Sequence, residues 1–393
     1  MKKVNKQSIF QRIILGKQER SINLRDFDLS VLLISFALVL FGLVMISSIT
    51  LPMTDGSLLM TINHLQKILI ALFIALFIFR FPISFWEEYS IYFVMVSLFL
   101  LLLVFLPIIG NEVKGANRWI KIFGFTFQPS EFLKFSLIIY ISSYCIRRFE
   151  EVKEHWIGFW KPMLVLAISI SLVILEPDLG SSVVMFLISL SIMFIAGAPL
   201  KHFFSIFILG ITLFAALIYS AEYRFRRILG YIDPWNYDGS DQLKYSLSAI
   251  NNGDLLGVGL GESIHKFFYL ADAQTDFIFA IITEELGIIF SLFLIIVFSY
   301  LVFRCFAIGR VARKKEFLFG SYISYGIGVC IALHVFINIG VATGLLPTKG
   351  ITLPFISFGG SNLILMFSLI SLLLKINLEI NFTNSVQKKV MNV

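Results

Sequence analysis

The chain has 393 residues, of which 58% are hydrophobic and 15% charged, and its formal net charge is +7. Soluble domains carry about 25% charged residues, so this composition excludes an ordinary water-soluble globule. No long polar stretch separates independent cores, and the length reads as one membrane-embedded unit rather than several soluble domains.

Residues 1–27 are polar and basic and are expected to form a tail without a cleavable signal peptide. A helix needs about 20 apolar residues to cross the hydrocarbon core. Runs that meet or approach this length lie at 29–48, 67–81, 91–109, 131–146, 162–175, 181–196, 203–220, 277–303, 319–342 and 358–376. Without water to solvate free backbone groups, each must be a helix. The expected fold is therefore an all-α integral membrane protein. Its polytopic bundle of ten transmembrane helices spans 28–376, with a large ordered extracytoplasmic loop at about 221–275 and a C-terminal tail at 377–393.

Of the 32 Lys and Arg, 21 fall on the side of the N-terminus, nine on the other, and Lys67 and Lys134 lie inside spans. Basic residues stay preferentially in the cytoplasm, so both termini are expected there. The basic balance follows from topology, and nothing points to nucleic acid. Cys145, Cys305 and Cys330 lie within or at the ends of apolar runs, at spacings that match no metal site or disulfide framework.

Polar residues near the expected outer boundary carry the candidate chemistry. Arg118, beside Trp119, suits either an anionic headgroup or an ordinary interfacial anchor. Glu131 and Lys134 stand at i and i+3 just after Pro129. Charges at membrane depth are costly, so this pair either fixes helix packing or belongs to a substrate site. Glu176-Pro-Asp-Leu-Gly180 reads as a tight turn, which capping and turn-making explain without a function.

Arg224, Arg226 and Arg227 form a dense basic cluster in the large loop. Guanidinium forks bind diphosphate bidentately, although Glu222 and Asp233 would equally balance solvated charge there. Asp276 ends that loop just before an apolar helix. A carboxylate at the boundary could take a proton from a hydroxyl, and it could instead cap the helix. Glu284 and Glu285 lie about two turns deeper and need partners. His334 and Asn338, at i and i+4, share a helix face suited to interhelical hydrogen bonds. Lys349 and Ser357 lie in a segment, 344–361, that holds two Pro and the adjacent Gly359 and Gly360. Irregular backbone at membrane depth is tolerated where it lines a cavity, and a re-entrant turn without ligand is the plainer alternative.

Several motifs occur together in one order: Gly115-Ala-Asn-Arg-Trp-Ile120, Phe127-Gln-Pro-Ser-Glu-Phe-Leu-Lys134, Glu176-Pro-Asp-Leu-Gly180, and Arg226-Arg-Ile-Leu-Gly-Tyr-Ile-Asp-Pro-Trp235. Gly257-Val-Gly-Leu-Gly261, Thr275-Asp-Phe-Ile-Phe-Ala280, Glu284-Glu-Leu-Gly287 and Leu346-Pro-Thr-Lys-Gly350 through Gly360 complete the set. Over nearly its whole length the chain resembles the SEDS family (shape, elongation, division and sporulation). Its Pro-Thr-Lys-Gly and Pro-Phe-Ile-Ser-Phe-Gly-Gly-Ser segments look more like the division branch than the rod-shape branch.

The resemblance implies a ten-helix peptidoglycan glycosyltransferase of the bacterial cytoplasmic membrane, at the division septum. Such enzymes polymerise lipid II into glycan strands and release undecaprenyl diphosphate. The family's essential aspartate matches Asp276, as the base or orienting group for the acceptor 4-hydroxyl. The family's Glu-Lys pair falls on Glu131 and Lys134, and its Arg-Trp arginine on Arg118. Arg226, Arg227, Lys349 and Ser357 are the further substrate-binding candidates. Expected partners are lipid II, the growing glycan strand, membrane lipids, a class B penicillin-binding protein transpeptidase and other division proteins. No cofactor is identified, and a divalent cation stays open. One departure stands out: the family commonly has Pro-Glu-x-His-Thr-Asp where this chain has Ala271-Asp-Ala-Gln-Thr-Asp276, so a mechanism needing that imidazole is in doubt here. The alternatives are a lipid II flippase and a noncatalytic scaffold that recruits a transpeptidase.

Overall fold

The structure is a computed structural model that describes residues 27–391 apart from 54–55, 107–109, 114–115, 123–124, 220–221, 223–228, 237–240 and 268–269. The helices are α1 (Leu29–Met53), α2 (Leu59–Arg80), α3 (Ile83–Glu88), α4 (Ser90–Val104), α5 (Pro129–Arg147), α6 (Phe149–Glu154), α7 (Trp156–Leu175) and α8 (Leu179–Ile195). They continue as α9 (Leu200–Tyr219), α10 (Asp241–Gly253), α11 (Ile278–Lys314), α12 (Leu318–Ala342) and α13 (Gly360–Met391). Six of them (α1, α2, α7, α11, α12 and α13) contain stretches long and apolar enough to cross a membrane. Apolar α4, α8 and α9 contribute shorter stretches, and α5 carries Glu131 and Lys134 in its first two turns.

Helix α5 sits at the centre, buried from Pro129 to Cys145 except at Phe132. It packs against α4, α8 and α12, while α11 lies along α12 and α13 along α2. The outward faces are as apolar as the core: Leu33, Phe73, Phe99 and Ile208 are each at least 60% exposed. An apolar surface this extensive is stable only against lipid, and the chain is a polytopic membrane protein.

Helix α11 is continuous in sequence but broken in space at Gly287, whose φ of 81° and ψ of 171° leave the helical region. An unbroken helix would bond the Ile288 and Ile289 amides to the Glu284 and Glu285 carbonyls. Instead, Ile288 donates to the Asp254 carbonyl at 3.0 Å and Ile289 to that of Leu255 at 3.3 Å. The freed Glu284 and Glu285 carbonyls accept from the amides of Val258 (2.9 Å) and Gly259 (3.0 Å). The segment after α10 thus satisfies all four backbone groups freed by the two lost helix bonds, which is how a break inside a membrane span avoids orphaned backbone groups. Such close approach admits no side chain at Gly257, where a Cβ would lie 2.3 Å from the Glu285 oxygen.

The segment before α5 departs from the all-α expectation: it is an antiparallel meander, β1 (Gly110–Val113), β2 (Ala116–Ile122) and β3 (Phe125–Phe127). Its register sets Ile120 opposite both Gly110 and Phe127. Ile120 is buried, and Arg118, two residues earlier, shares its face of the strand.

Candidate active site

Asp276 lies one residue before Phe277, the N-cap of α11, whose own side chain makes no capping hydrogen bond. The helix starts at Ile278, two residues beyond the carboxylate. The turn before it is built on Asp272, which takes a left-handed φ of 61° and accepts the amides of Thr275 (3.0 Å) and Asp276 (3.1 Å) with its carbonyl.

Three consecutive carbonyls are then fixed from outside. The amide of Phe358 donates to Gln274 at 2.9 Å, the Ser357 hydroxyl to Thr275 at 2.6 Å, and the Asn338 side-chain amide to Asp276 at 2.9 Å. Asn338 also donates to the Ile351 carbonyl at 2.8 Å, which ties the Lys349–Ile351 turn to the same place. A Cβ built on Gly350 would stand 2.9 Å from Asp276 Oδ2, so Gly350 lets the carboxylate lie against the backbone beside half-buried Lys349.

Ser357 is buried, and its hydroxyl also accepts the Leu353 amide at 2.8 Å. Among the sequence candidates, the structure gathers Asp276, Lys349 and Ser357 at one locus.

Arg118 adjoins this locus through the Glu176–Gly180 turn. Its Nε and Nη2 donate to the Glu176 and Pro177 carbonyls, each at 2.7 Å. Asp178 caps α8 by accepting the Ser181 amide at 3.0 Å, and its other oxygen takes the Gln128 amide at 3.1 Å. Gly180 packs under Ile351, next to Gly350. Burial, then the nearby Asp178 charge, pushes the Glu176 carboxyl up to about 8, against the pull of the Arg118 guanidinium.

Glu131 and Lys134 form a buried ion pair at 2.8 Å. The ammonium also lies 3.3 Å from His334 Nε2, while His334 Nδ1 sits 2.9 Å from the Cys330 carbonyl. An Nδ1–H tautomer satisfies both contacts, since a carbonyl only accepts and an ammonium only donates. One turn further along α12 comes Asn338. A single helix face therefore links the ion pair to the backbone that holds Asp276.

Arg224, Arg226 and Arg227 lie outside the described residues. Glu284 and Glu285 find their partners in the loop. Glu284 accepts from Asn252 at 2.8 Å and from the Ser263 hydroxyl, and contacts His265 Nδ1 at 2.8 Å. Glu285 pairs with fully buried Lys266 at 2.9 Å and accepts from the Ser48 hydroxyl at 2.7 Å. In the sequence Lys266 is only one of the nine basic residues counted on the side away from the N-terminus, since nothing local announces a partner nineteen residues away. Among the described residues no group of three or more His, Cys, Asp or Glu could hold a metal ion.

Residues 28–381 match the family described as cell cycle protein, which groups FtsW, RodA and SpoVE. The chain belongs to this family. A relative from Saccharophagus degradans, named probable peptidoglycan glycosyltransferase FtsW, is 45% identical over 305 residues, 77% of this chain and 79% of that one. A protein of the same name from Escherichia coli is 37% identical over 373 residues, covering 93% of this chain and 90% of its own length. Among solved structures, the fold is shared with a chain from a study of a peptidoglycan synthase complex that coordinates polymerization and crosslinking. That pair has a TM-score of 0.75 at 23% identity, over 90% of this chain and 98% of the other. The rod shape determining protein RodA of Thermus thermophilus gives 0.67 at 22% identity, over 89% and 96%.

Proposed function

We propose that this protein polymerises lipid II into glycan strands during septal wall synthesis in the bacterial cytoplasmic membrane. The observation that carries the reading is the carboxylate of Asp276, set against Gly350 beside Lys349 and held through three successive carbonyls. Homologues that match most of the chain carry the name of this activity.

In this reading α1, α2, α4, α5, α7, α8, α9, α11, α12 and α13 make ten spans, both termini are cytoplasmic, and the loops around Asp276 face outward. The charge asymmetry of the sequence supports that orientation. The acceptor 4-hydroxyl gives its proton to Asp276 as its oxygen attacks the anomeric carbon of the donor, and the bond to the diphosphate breaks. Lys349, Arg118, Arg226 and Arg227 are the cations offered to the departing undecaprenyl diphosphate. Glu131 and Lys134, joined to this locus through α12, support the substrate site from below. A class B penicillin-binding protein is the transpeptidase partner, and the fold shared with a peptidoglycan synthase complex supports that pairing.

A flippase would keep polar groups available through both halves of the bilayer. The deeper carboxylates, Glu284 and Glu285, are instead engaged by Asn252, Ser263, His265, Lys266 and Ser48. The deciding experiment supplies purified protein and its transpeptidase partner with lipid II and follows glycan strands on gels. Asp276→Asn should abolish strands while leaving the melting temperature unchanged. Undiminished strands from the Asn variant would remove Asp276 from the mechanism.

A further inference from the structure

Helix α2 holds two polar residues that the function above does not use. Lys67 is half-buried within the span, and no carboxylate pairs with it among the described residues. Its ammonium lies 3.8 Å from the centroid of the Phe358 ring. His64, one turn earlier, is fully buried and stacks on the same ring at 5.3 Å, yet among the described residues neither ring nitrogen has a hydrogen-bond partner.

Both features are costly as they stand. A lone ammonium at membrane depth is ordinarily paired or functional, and a buried imidazole ordinarily finds a partner. Phe358 ties the two to the active site, because its amide donates to Gln274, two residues before Asp276. Lys67 lies eight residues past the start of α2, about 12 Å along the helix axis from the loop end. Beside it the helix presents apolar side chains outward: Met60, Ile70 and Phe77, at helical spacings from Lys67 that put them on its side of α2, are all exposed.

We propose that Lys67 and His64 form a subsite for the diphosphate of a polyprenyl lipid, with the prenyl chain lying along these exposed side chains of α2. Lys67 supplies the charge and His64 an N–H to a phosphate oxygen. The Phe358 ring holds both groups in place through its negative face. The subsite rests on the lipid-diphosphate reading of the active site and adds where that lipid is gripped. A lysine that merely extends its ammonium toward the headgroups would need neither the aromatic platform nor the imidazole.

Direct binding separates this proposal from the polymerase reading. The full-length protein in nanodiscs is titrated with a fluorescent polyprenyl diphosphate, with polymerisation measured in parallel. Lys67→Met should weaken binding about tenfold or more, and Lys67→Arg should retain it within roughly threefold. His64→Leu should weaken it about threefold or more, with a melting temperature matching the wild type. Phosphatidylglycerol and inorganic diphosphate, each at the same concentration, should fail to displace the probe. Binding to Lys67→Met at wild-type strength would overturn the subsite, as would equal displacement by phosphatidylglycerol. Asp276→Asn should bind the probe normally, so loss of polymerisation there and loss of binding at Lys67 report on different claims.

Discussion

Asn338 and Asp276 are joined through the backbone: one side-chain amide donates to the Asp276 carbonyl at 2.9 Å and to the Ile351 carbonyl at 2.8 Å. The two segments that meet at the site are 75 residues apart in sequence, and Asn338 is fully buried between them. Asn338→Ala leaves both carbonyls short of a donor, at a cost of about 1–3 kcal/mol. The expected result is a lowered melting temperature together with loss of polymerisation. A variant that melts and polymerises like the wild type would show that the clamp has no role.

Gly350 is expected to tolerate no side chain, for a reason of chemistry rather than folding. The added methyl of Gly350→Ala would lie 2.9 Å from Asp276 Oδ2, and a side chain can move away where a backbone cannot. Stability should change little, but a misplacement approaching 1 Å in a reacting group can lower the rate roughly 100-fold. Polymerisation rates at matched melting temperature test this, and an unaffected rate counts against the placement of the carboxylate.

The break in α11 predicts the opposite pattern. At Gly257 an added Cβ would meet the Glu285 carbonyl at 2.3 Å, and φ there is +83°. Neither atom can retreat without undoing the exchanged hydrogen bonds, so Gly257→Ala should destabilise by on the order of 3 kcal/mol or more. Yield of folded protein and melting temperature are the readouts. Normal values in both would mean that the segment 254–259 does not pack into the break.

The Glu131–Lys134 pair can be tested by comparing single and double variants. Lys134→Met leaves Glu131 uncompensated in a buried site and should cost about 3–5 kcal/mol. Adding Glu131→Gln should recover most of that loss, because the unpaired charge goes with it. If the double variant melts no higher than the single, the two side chains do not act as a pair.

Glu176 gives the stability a pH dependence with a definite sign. The folded carboxyl keeps its proton up to about pH 8, against an ordinary value of 4.5 in the unfolded chain. The folded state therefore binds more protons across that interval, and stability falls as pH rises from 4.5 to 8. Glu176→Gln cannot ionise, so its melting temperature should decline less over this range and exceed that of the wild type at the upper end. Parallel curves for the two proteins would contradict a protonated Glu176.

Composition alone determined that this chain lives in lipid, because 58% hydrophobic residues cannot be hidden from water in a chain of this length. Run lengths marked where helices cross, and the placement of Glu131 and Lys134 among apolar residues singled them out, since a charge there needs a reason, while Asp276 stood out at the edge of an apolar helix. What sequence could not reach were relations between distant segments. The segment 254–259 looks like a glycine-rich loop until Gly287 breaks α11 and opens four backbone groups for it to satisfy. Ser357 reads as a candidate ligand, and only packing shows its hydroxyl committed to Thr275 and Leu353. Lys266 reads as a loop charge until the fold seals it against Glu285. Hydropathy is a property of each residue and survives in one dimension; hydrogen bonds and ion pairs belong to pairs, and the fold alone chooses the partners.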